Sequence, residues 1–483
     1  MSNLTQEQID RVARRVMDLL KDQPSGGISS RVQANSSTAV PLGNGIFSTI
    51  DAAVEATHKA QLQLMDLTLA KRNEIIANIR RRMMEHAEDL AKRAHEETGL
   101  GRVADKIEKN RLVIEKTPGT EILTPTAYSG DRGLTLMELA PYGVIGSVTP
   151  VTNPTSSIIC NTIGMVAAGN GVVFNVHPGA KEVSIYNIIL MNKAITEVGG
   201  PPNLVTTISN PTVESARELM HHPGVRLLVV TGGSGVVKEA MASGKRAICA
   251  GPGNPPVVVD ESADIDQAAK NIVRGASMDN NIICVDEKEV IVVNKVADLL
   301  ISAMQRHGAV LLTKGQFMQL EPFIFSAPLK PRQQTPVNKS LIGKDVRVIL
   351  SKIGMKVSEE VRLAIVEVEE DHPLLWTEQM MPVLPIVRVS SADRAIDLAK
   401  EMEHGYGHTA VMYSKNLDNL SRMAREINCS IFVKNGPSVA GLGYGGEGYC
   451  SFSIASPTGE GLTNSRTFSR ERRCVLVDHF RIV

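Results

Sequence analysis

Apolar and polar positions follow different periods in successive parts of the chain, and the changes of period mark out its elements. In residues 4–21, Ile9, Val12, Val16, Leu19 and Leu20 fall on one face at helical spacing. Thr5 with Gln8 forms a capping box, so residues 1–22 are predicted to carry a short amphipathic helix. Residues 23–45 have no apolar period and are rich in Ser, Gly, Pro and Asn, the composition of a flexible linker. A tethered helix that cannot bury its stripe at home either docks to a partner or folds back on the body. From about 46 to 118 the helical period returns: Ile50, Ala53, Val54 and Thr57 share a face, and a long charged helix runs through Lys71 to Glu97. The triplet Arg80-Arg81-Arg82 reads as a solvated helix face or as a phosphate contact.

After about residue 140 the character changes. Short apolar runs such as 143–148, 171–175 and 225–230 alternate with helical segments, as buried parallel strands and their crossovers do. This predicts an α/β fold with a doubly wound sheet. A second α/β block opens at Pro256-Val257-Val258-Val259-Asp260 and runs to about 449. Leu134 to Leu139 and Arg473 to Asp478 read as strands, and the glycine-rich Gly441 to Tyr449 as a turn that is structural or part of a pocket rim.

Composition narrows the function classes. At 483 residues the chain is too long for one core. Lys plus Arg and Asp plus Glu cancel at 52 each, so no overall field favours nucleic acid or an anionic membrane, and an anionic ligand must be met locally. No uncharged run reaches the roughly 18–20 apolar residues of a membrane helix. The N-terminus, with Asp10, Arg11, Arg14 and Arg15, has no secretory apolar stretch. Six cysteines without CxxC spacing argue against a zinc site and a disulfide framework, so a cytoplasmic protein with reduced thiols and no metal is expected.

Candidate chemistry centres on Cys284, which ends the polar run Ser277-Met278-Asp279-Asn280-Asn281-Ile282-Ile283-Cys284. Most cysteines are small buried hydrophobes, as Cys160 and Cys249 are read here, and Cys429, Cys450 and Cys474 have no suggestive neighbours. Three strand ends supply polar groups. Thr231-Gly232-Gly233-Ser234 opens a helix whose N–H groups suit a pyrophosphate, although a full GxGxxG is lacking. Asn175-Val176-His177-Pro178 places His177 at a strand's carboxyl end, for adenosine ribose or phosphate or simply as a turn residue. Thr149-Pro150-Val151-Thr152-Asn153-Pro154 offers an amide able to donate to an oxyanion.

Together with Gly251-Pro252-Gly253-Asn254-Pro255-Pro256 and Glu378-Gln379-Met380-Met381-Pro382, these segments in this order resemble the aldehyde dehydrogenase superfamily. In particular they resemble the CoA-acylating aldehyde dehydrogenases associated with bacterial microcompartments. The resemblance covers about residues 46–483, and the leading helix and linker resemble the encapsulation peptides of those enzymes. It implies an aldehyde dehydrogenase fold: a Rossmann-like NAD-binding domain at 46–122 and 140–249, an α/β catalytic domain at 250–449, and a small β oligomerisation element at 123–139 and 450–483. It also implies Cys284 as nucleophile with a lowered thiol pKa, Asn153 or Thr152 at the oxyanion, and Glu378 on the nicotinamide ribose. Thr149, Pro150, His177, Pro178, Thr231, Gly232, Gly233 and Ser234 would complete the cofactor site. Hydrolytic relatives carry Pro-Trp-Asn-Phe-Pro, so the asparagine here stands one place later without a gap, and His177 replaces a lysine.

One departure has mechanistic content. Where hydrolytic members have Glu-Leu-Gly-Gly, this chain has Ala250-Gly251-Pro252-Gly253. Water, with a pKa near 15.7, needs a general base to attack an acyl-enzyme. A thiol with a pKa of about 8.5 is already partly ionised near neutrality. The expected activity is therefore NAD-dependent oxidation of propionaldehyde or acetaldehyde to its acyl-CoA through a cysteine thioester, with coenzyme A as co-substrate. An acid-forming dehydrogenase using Asp279, Asp286 or Glu287 as a substitute base is the alternative, and an inert shell-docking scaffold the reading from another class. Expected partners are the short-chain aldehyde, CoA, a microcompartment shell protein through residues 1–22, and further copies in a homodimer or homotetramer. The expected location is the cytoplasm, inside a microcompartment.

Overall fold

The computed structural model describes residues 43–483, so the helix expected at 1–22 and most of the linker lie outside the described residues. The last linker positions are already part of the body. Gly45 N–H donates to Asn203 Oδ1 at 3.1 Å, and its carbonyl accepts from Thr207 N–H at 2.9 Å. The stretch from 46 is not wholly helical either, because Ile46–Phe47 joins a sheet as a short parallel strand beside Val205–Ile208.

Three helices follow, Ile50–Met65, Leu69–Thr98 and Val103–Lys116, the first two capped by the Thr49 and Thr68 hydroxyls. Ile50, Ala53, Val54 and Thr57 are all buried, as their shared face requires. The arginine triplet serves the helices. Arg80 donates to the carbonyls of Ile114 and Thr117 at the end of Val103–Lys116, and Arg81 and Arg82 pair with Glu85. A cation at a helix C-terminus satisfies carbonyls that have no intrahelical partner.

Two parallel sheets organise the rest. The first has six strands in the order Ile46–Phe47, Val205–Ile208, Gly171–Asn175, Val144–Val148, Leu227–Thr231 and Arg246–Ala250. Its central strands are buried almost throughout, with Val172, Val173 and Phe174 fully enclosed beside the buried polar Ser147, Thr206 and Thr207. The order reverses after Val144–Val148, so a crevice opens at the carboxyl ends of the strands. Helix Pro154–Ala167, buried at every position, leaves that edge and runs under the sheet. The second sheet has seven strands, in the order Ala309–Leu311, Leu363–Glu367, Val383–Val389, Glu289–Val293, Pro256–Val259, Thr409–Tyr413 and Ile431–Lys434.

A separate antiparallel sheet pairs Ser469–Val477 with Gly133–Pro141 and that strand with Thr126–Gly130. Residues 450–468 do not join it. They form the small pair Ile454–Ala455 and Gly461–Leu462, and Thr458 Oγ1 accepts from Cys249 N–H at 3.0 Å, which ties this hairpin to the six-stranded sheet. Among the described residues no helix is long and apolar enough to cross a membrane, and no group of His, Cys, Asp and Glu is spaced to hold a metal ion.

Candidate active site

Four neighbouring strands of the six-stranded sheet end in one cavity of about 720 Å³. Its walls are the residues that follow them: Thr149 to Asn153, Asn175 to Pro178, Thr231 to Gly233, and Ala250 to Pro252. Ile282, Cys284, Glu378 and Met380 close it from the second α/β block, with Phe452 from the hairpin. Of the residues singled out in the sequence, Cys284, Thr152, Asn153, Thr149, Pro150, His177, Pro178, Thr231, Gly232, Gly233 and Glu378 all line this space. Ser234 does not; it opens helix Ser234–Ala242, and Gly235 and Val236 reach the wall instead. Nor does any residue of 441–449. That turn is held by Lys116 Nζ, which donates to the Gly443 and Gly446 carbonyls at 2.6 and 2.9 Å, so it is structural.

The cavity suits a dinucleotide. The N-terminus of helix Ser234–Ala242 has no side-chain cap, so its first N–H groups are free for phosphate oxygens. A Cβ on Gly233 or Gly235 would meet open space, so the turn is a bare backbone cradle. His177 Nδ1 accepts from Gly179 N–H at 3.0 Å, which leaves the proton of the neutral ring on the exposed Nε2 as a donor. Burial of its surroundings lowers the His177 pKa, which favours that neutral form. The turn role and the ligand role thus use different nitrogens.

Cys284 is partly exposed at the cavity wall. The expected lowering of its thiol pKa is not met. Burial of its surroundings pushes it up to about 12, the Glu378 carboxylate adds to the rise, and Lys288 opposes it. Glu378 itself is raised by burial, and its Oε1 accepts weakly from Gly253 N–H at 3.4 Å. The approach is close here. A Cβ at position 253 would stand 3.0 Å from both the Cys284 carbonyl oxygen and His408 Cγ. Gly253→Ala is therefore expected to destabilise the fold by about 1–3 kcal/mol and to lower turnover. An unchanged thermal melt would refute that packing argument.

The polar run before Cys284 is a left-handed turn. Asp279, Asn280 and Asn281 have φ of 46°, 57° and 66°, a region that Asn and Asp tolerate better than other side chains but that still costs about 1–3 kcal/mol per residue. Hydrogen bonds hold it. Asn280 Nδ2 donates to Gly343 O at 2.9 Å, and Asn281 Nδ2 to Ala276 O and Glu287 O at 2.8 and 2.9 Å. Buried Asp279 accepts from Arg102 N–H at 2.6 Å and pairs with Lys106 at 3.0 Å and with Lys109. Burial raises the Asp279 pKa, but the two ammonium groups outweigh it and the net shift is downward. Lys106 is pushed down to about 8 by the same burial.

The substitute bases considered from sequence are thereby accounted for. Asp279 is an ion-pair partner. Asp286, raised far above the carboxylate range by burial, accepts from Ile283 N–H at 3.0 Å. Glu287, pushed up to about 7, accepts from Ser438 N–H and Oγ, both at 2.8 Å. None of the three lines the cavity, where Glu378 is the single carboxylate among the described residues.

Asn153 is nine-tenths buried and stands at the start of helix Pro154–Ala167 without capping it. Its Oδ1 accepts from Lys109 Nζ at 2.7 Å, and Nδ2 donates to Thr152 Oγ1 at 3.1 Å. Lys109 fixes which end of the amide is which: the oxygen faces Lys109, and the Nδ2 end bonds to Thr152 Oγ1. The other cysteines stand apart. Cys160, Cys249 and Cys450 are buried, Cys429 donates to Ile431 O at 2.9 Å, and Cys474 is exposed on the antiparallel sheet.

Sequence reading missed Lys106, Lys109, Lys288 and His408. Lys106 and Lys109 lie on helix Val103–Lys116 and Lys288 just before strand Glu289–Val293, and only the fold buries them beside the groups of the site. His408 is buried with Nε2 unpartnered, and its pKa is lowered to about 4 by burial.

The sequence pattern of the aldehyde dehydrogenase family matches residues 33–456. The chain is 50% identical over 481 residues to the acetylating acetaldehyde dehydrogenase EutE of Escherichia coli, covering 99% of this chain and 100% of that one. A propionaldehyde dehydrogenase from the fucose utilisation microcompartment of Clostridium phytofermentans superposes with a TM-score of 0.88 at 47% identity, covering 91% of this chain and 100% of that one. The propionaldehyde dehydrogenase of Rhodopseudomonas palustris, solved with bound CoA and an acylated cysteine, gives a TM-score of 0.88 at 47% identity, covering 90% and 99%.

Proposed function

This chain belongs to the aldehyde dehydrogenase family, and from that premise we infer that it oxidises a short-chain aldehyde, acetaldehyde or propionaldehyde, to its acyl-CoA. The observation that carries acyl transfer to a thiol is the cavity wall at Ala250-Gly251-Pro252, which presents no carboxylate to activate water. Relatives that match nine-tenths or more of the chain are an acetylating acetaldehyde dehydrogenase and a propionaldehyde dehydrogenase solved with bound CoA and an acylated cysteine.

In the mechanism, Cys284 Sγ adds to the aldehyde carbonyl carbon. The thiol gives its proton to solvent water, and the carbonyl oxygen becomes an oxyanion that accepts from Cys284 N–H and from Asn153 Nδ2. Bound NAD supplies the acceptor for the hydride that the tetrahedral carbon must lose. Its pyrophosphate would rest on the turn Thr231-Gly232-Gly233, its adenosine ribose near His177 and Pro178, and its nicotinamide ribose on Glu378, with Thr149 and Pro150 beside it. The remaining thioester on Cys284 is resolved by the CoA thiolate, which forms the new C–S bond as the bond to Cys284 Sγ breaks. One thioester replaces another, so the step is nearly isoenergetic and the reaction runs both ways.

The same reading covers the rest of the chain. Residues 1–22 dock a microcompartment shell protein and bring the enzyme into that cytoplasmic compartment, in keeping with the microcompartment source of the Clostridium relative. The antiparallel sheet, with Tyr128, Val475, Leu476 and Val477 exposed, joins copies into a homodimer or homotetramer.

The test is direct. Purified protein mixed with propionaldehyde and NAD is expected to show sustained NADH absorbance only when CoA is present, and without CoA at most one equivalent per site. Equal turnover without CoA would make water the acceptor and overturn the reading.

A further inference from the structure

The two donors of the oxyanion site are amides, and a buried lysine stands behind each. Lys109 Nζ donates to the Asn153 carboxamide oxygen at 2.7 Å. One Asn153 N–H goes to Thr152 Oγ1, and the other has no protein partner among the described residues. The peptide between Ile283 and Cys284 repeats the arrangement. Its carbonyl oxygen accepts from Asp286 N–H at 3.0 Å and from Lys288 Nζ at 3.3 Å, while its N–H, that of Cys284, bonds to no other residue among those described.

Lys109 pairs with one carboxylate, and Lys288 makes no direct ion pair among the described residues, although Asp286, Glu287, Glu289 and Glu378 lie near enough to interact with it. Lys288 is fully buried, and its three donors go to Asn281 O, Asn281 Oδ1 and Ile283 O at 2.9, 2.7 and 3.3 Å. Lys109 shares the single carboxylate of Asp279 with Lys106, so that cluster keeps a net positive charge. Burying such charges is costly, and the positions they occupy are unusual in a shared respect: each faces the oxygen of an amide whose N–H end belongs to the site.

We propose that Lys109 and Lys288 are positioning residues that polarise the Asn153 carboxamide and the Ile283–Cys284 peptide toward their N–H ends, strengthening both donors as the aldehyde oxygen takes up charge. This rests on the reading of Cys284 as nucleophile and Asn153 as donor. A hydrogen bond accepted at an amide oxygen makes the N–H a stronger donor, and the effect grows in a low dielectric. Because both lysines are fixed before substrate arrives, no reorganisation is needed as the charge develops. The three left-handed residues before Cys284 find a reason here, since Asp279 and Asn281 are the groups through which the lysines are anchored.

The test uses the full-length enzyme and p-nitrophenyl acetate, whose acylation of Cys284 passes through an oxyanion without a nicotinamide. Rates are expressed per titrated Cys284 thiol, so that misfolded protein does not count. Lys109→Met and Lys288→Met are each expected to lower acylation and the kcat for aldehyde by about 10²-fold, with the KM for aldehyde within about threefold. Lys109→Gln, which keeps a donor but not the charge, is expected to restore about tenfold. Iodoacetamide alkylation forms no oxyanion and is expected to change less than about threefold in Lys109→Met. Acylation unchanged in both Met variants, or acylation and alkylation falling together in Lys109→Met, would overturn the proposal. Asn153→Ala is the reference. If it loses acylation and the lysine variants do not, the inference fails while the proposed function stands. If Asn153→Ala retains full acylation, the reading of the oxyanion site fails first.

Discussion

Cys284→Ala is expected to lower CoA-dependent NADH formation by more than about 10⁴-fold, because each step after substrate binding passes through its sulfur. The same atom attacks the aldehyde, carries the thioester and leaves when CoA arrives, so no partial function survives its removal. The fold should be indifferent to the change. Cys284 lies partly exposed at the cavity wall, the left-handed turn is held by Asp279, Asn280 and Asn281, and alanine leaves no closed void. A thermal melt within about two degrees of wild type and an unchanged NADH affinity by fluorescence titration are the controls. In the reverse direction, wild-type protein mixed with propionyl-CoA should carry one propionyl group on the peptide containing Cys284, and the variant none. Residual turnover above about one per cent would move the chemistry to another thiol. None stands ready to take it, since Cys160, Cys249 and Cys450 are buried and neither Cys429 nor Cys474 lines the cavity.

Much of this site was legible in the sequence because a doubly wound sheet gathers its strand ends. The runs ending near Val148, Phe174 and Val230 carried an apolar signal, and in a parallel sheet their carboxyl ends must share an edge. Polar residues just beyond each run, Thr152 and Asn153, His177, Thr231 to Gly233, then fall together without any further fact. Cys284 and Glu378 come from the second sheet, and their placement opposite that edge was legible only through the family resemblance.

The missed parts have physical causes. Lys106 and Lys109 lie on Val103–Lys116 at positions where a charged helix face reads as solvated. Both are buried, because the left-handed turn brings the Asp279 carboxylate against that face. No periodicity reports the handedness of three residues, although an Asp-Asn-Asn run is the composition that tolerates it. The direction of the thiol's shift in the free protein was not legible for a related reason. A nucleophilic cysteine suggests a lowered pKa, but the value depends on solvent access and on distant charges, and here burial and Glu378 outweigh Lys288. Ser234, read from sequence as part of the cofactor site, opens the helix between the lining residues Gly233 and Gly235 and is not itself on the wall.

The raised thiol makes the free enzyme slow toward electrophiles at neutral pH, and steeply pH-dependent. With a pKa of about 12, the reactive thiolate is about one part in 10⁴ at pH 8. Since the folded protein favours the protonated form, the thiolate fraction grows with rising pH across the whole accessible range. Iodoacetamide alkylation of the peptide bearing Cys284, followed by mass spectrometry, is expected to rise about tenfold per pH unit from 7 to 10 without a plateau, a change of about 10³-fold. Two perturbations fix the cause. Glu378→Gln removes a negative charge that pushes the pKa up, so at a given pH its alkylation should be faster than in wild type. Saturating oxidised NAD brings a cationic ring into the same cavity and should move the profile toward lower pH in the same sense. A plateau below pH 9 in the free enzyme would show a thiol already activated, and would assign its ionisation to the resting protein instead of to the occupied cavity.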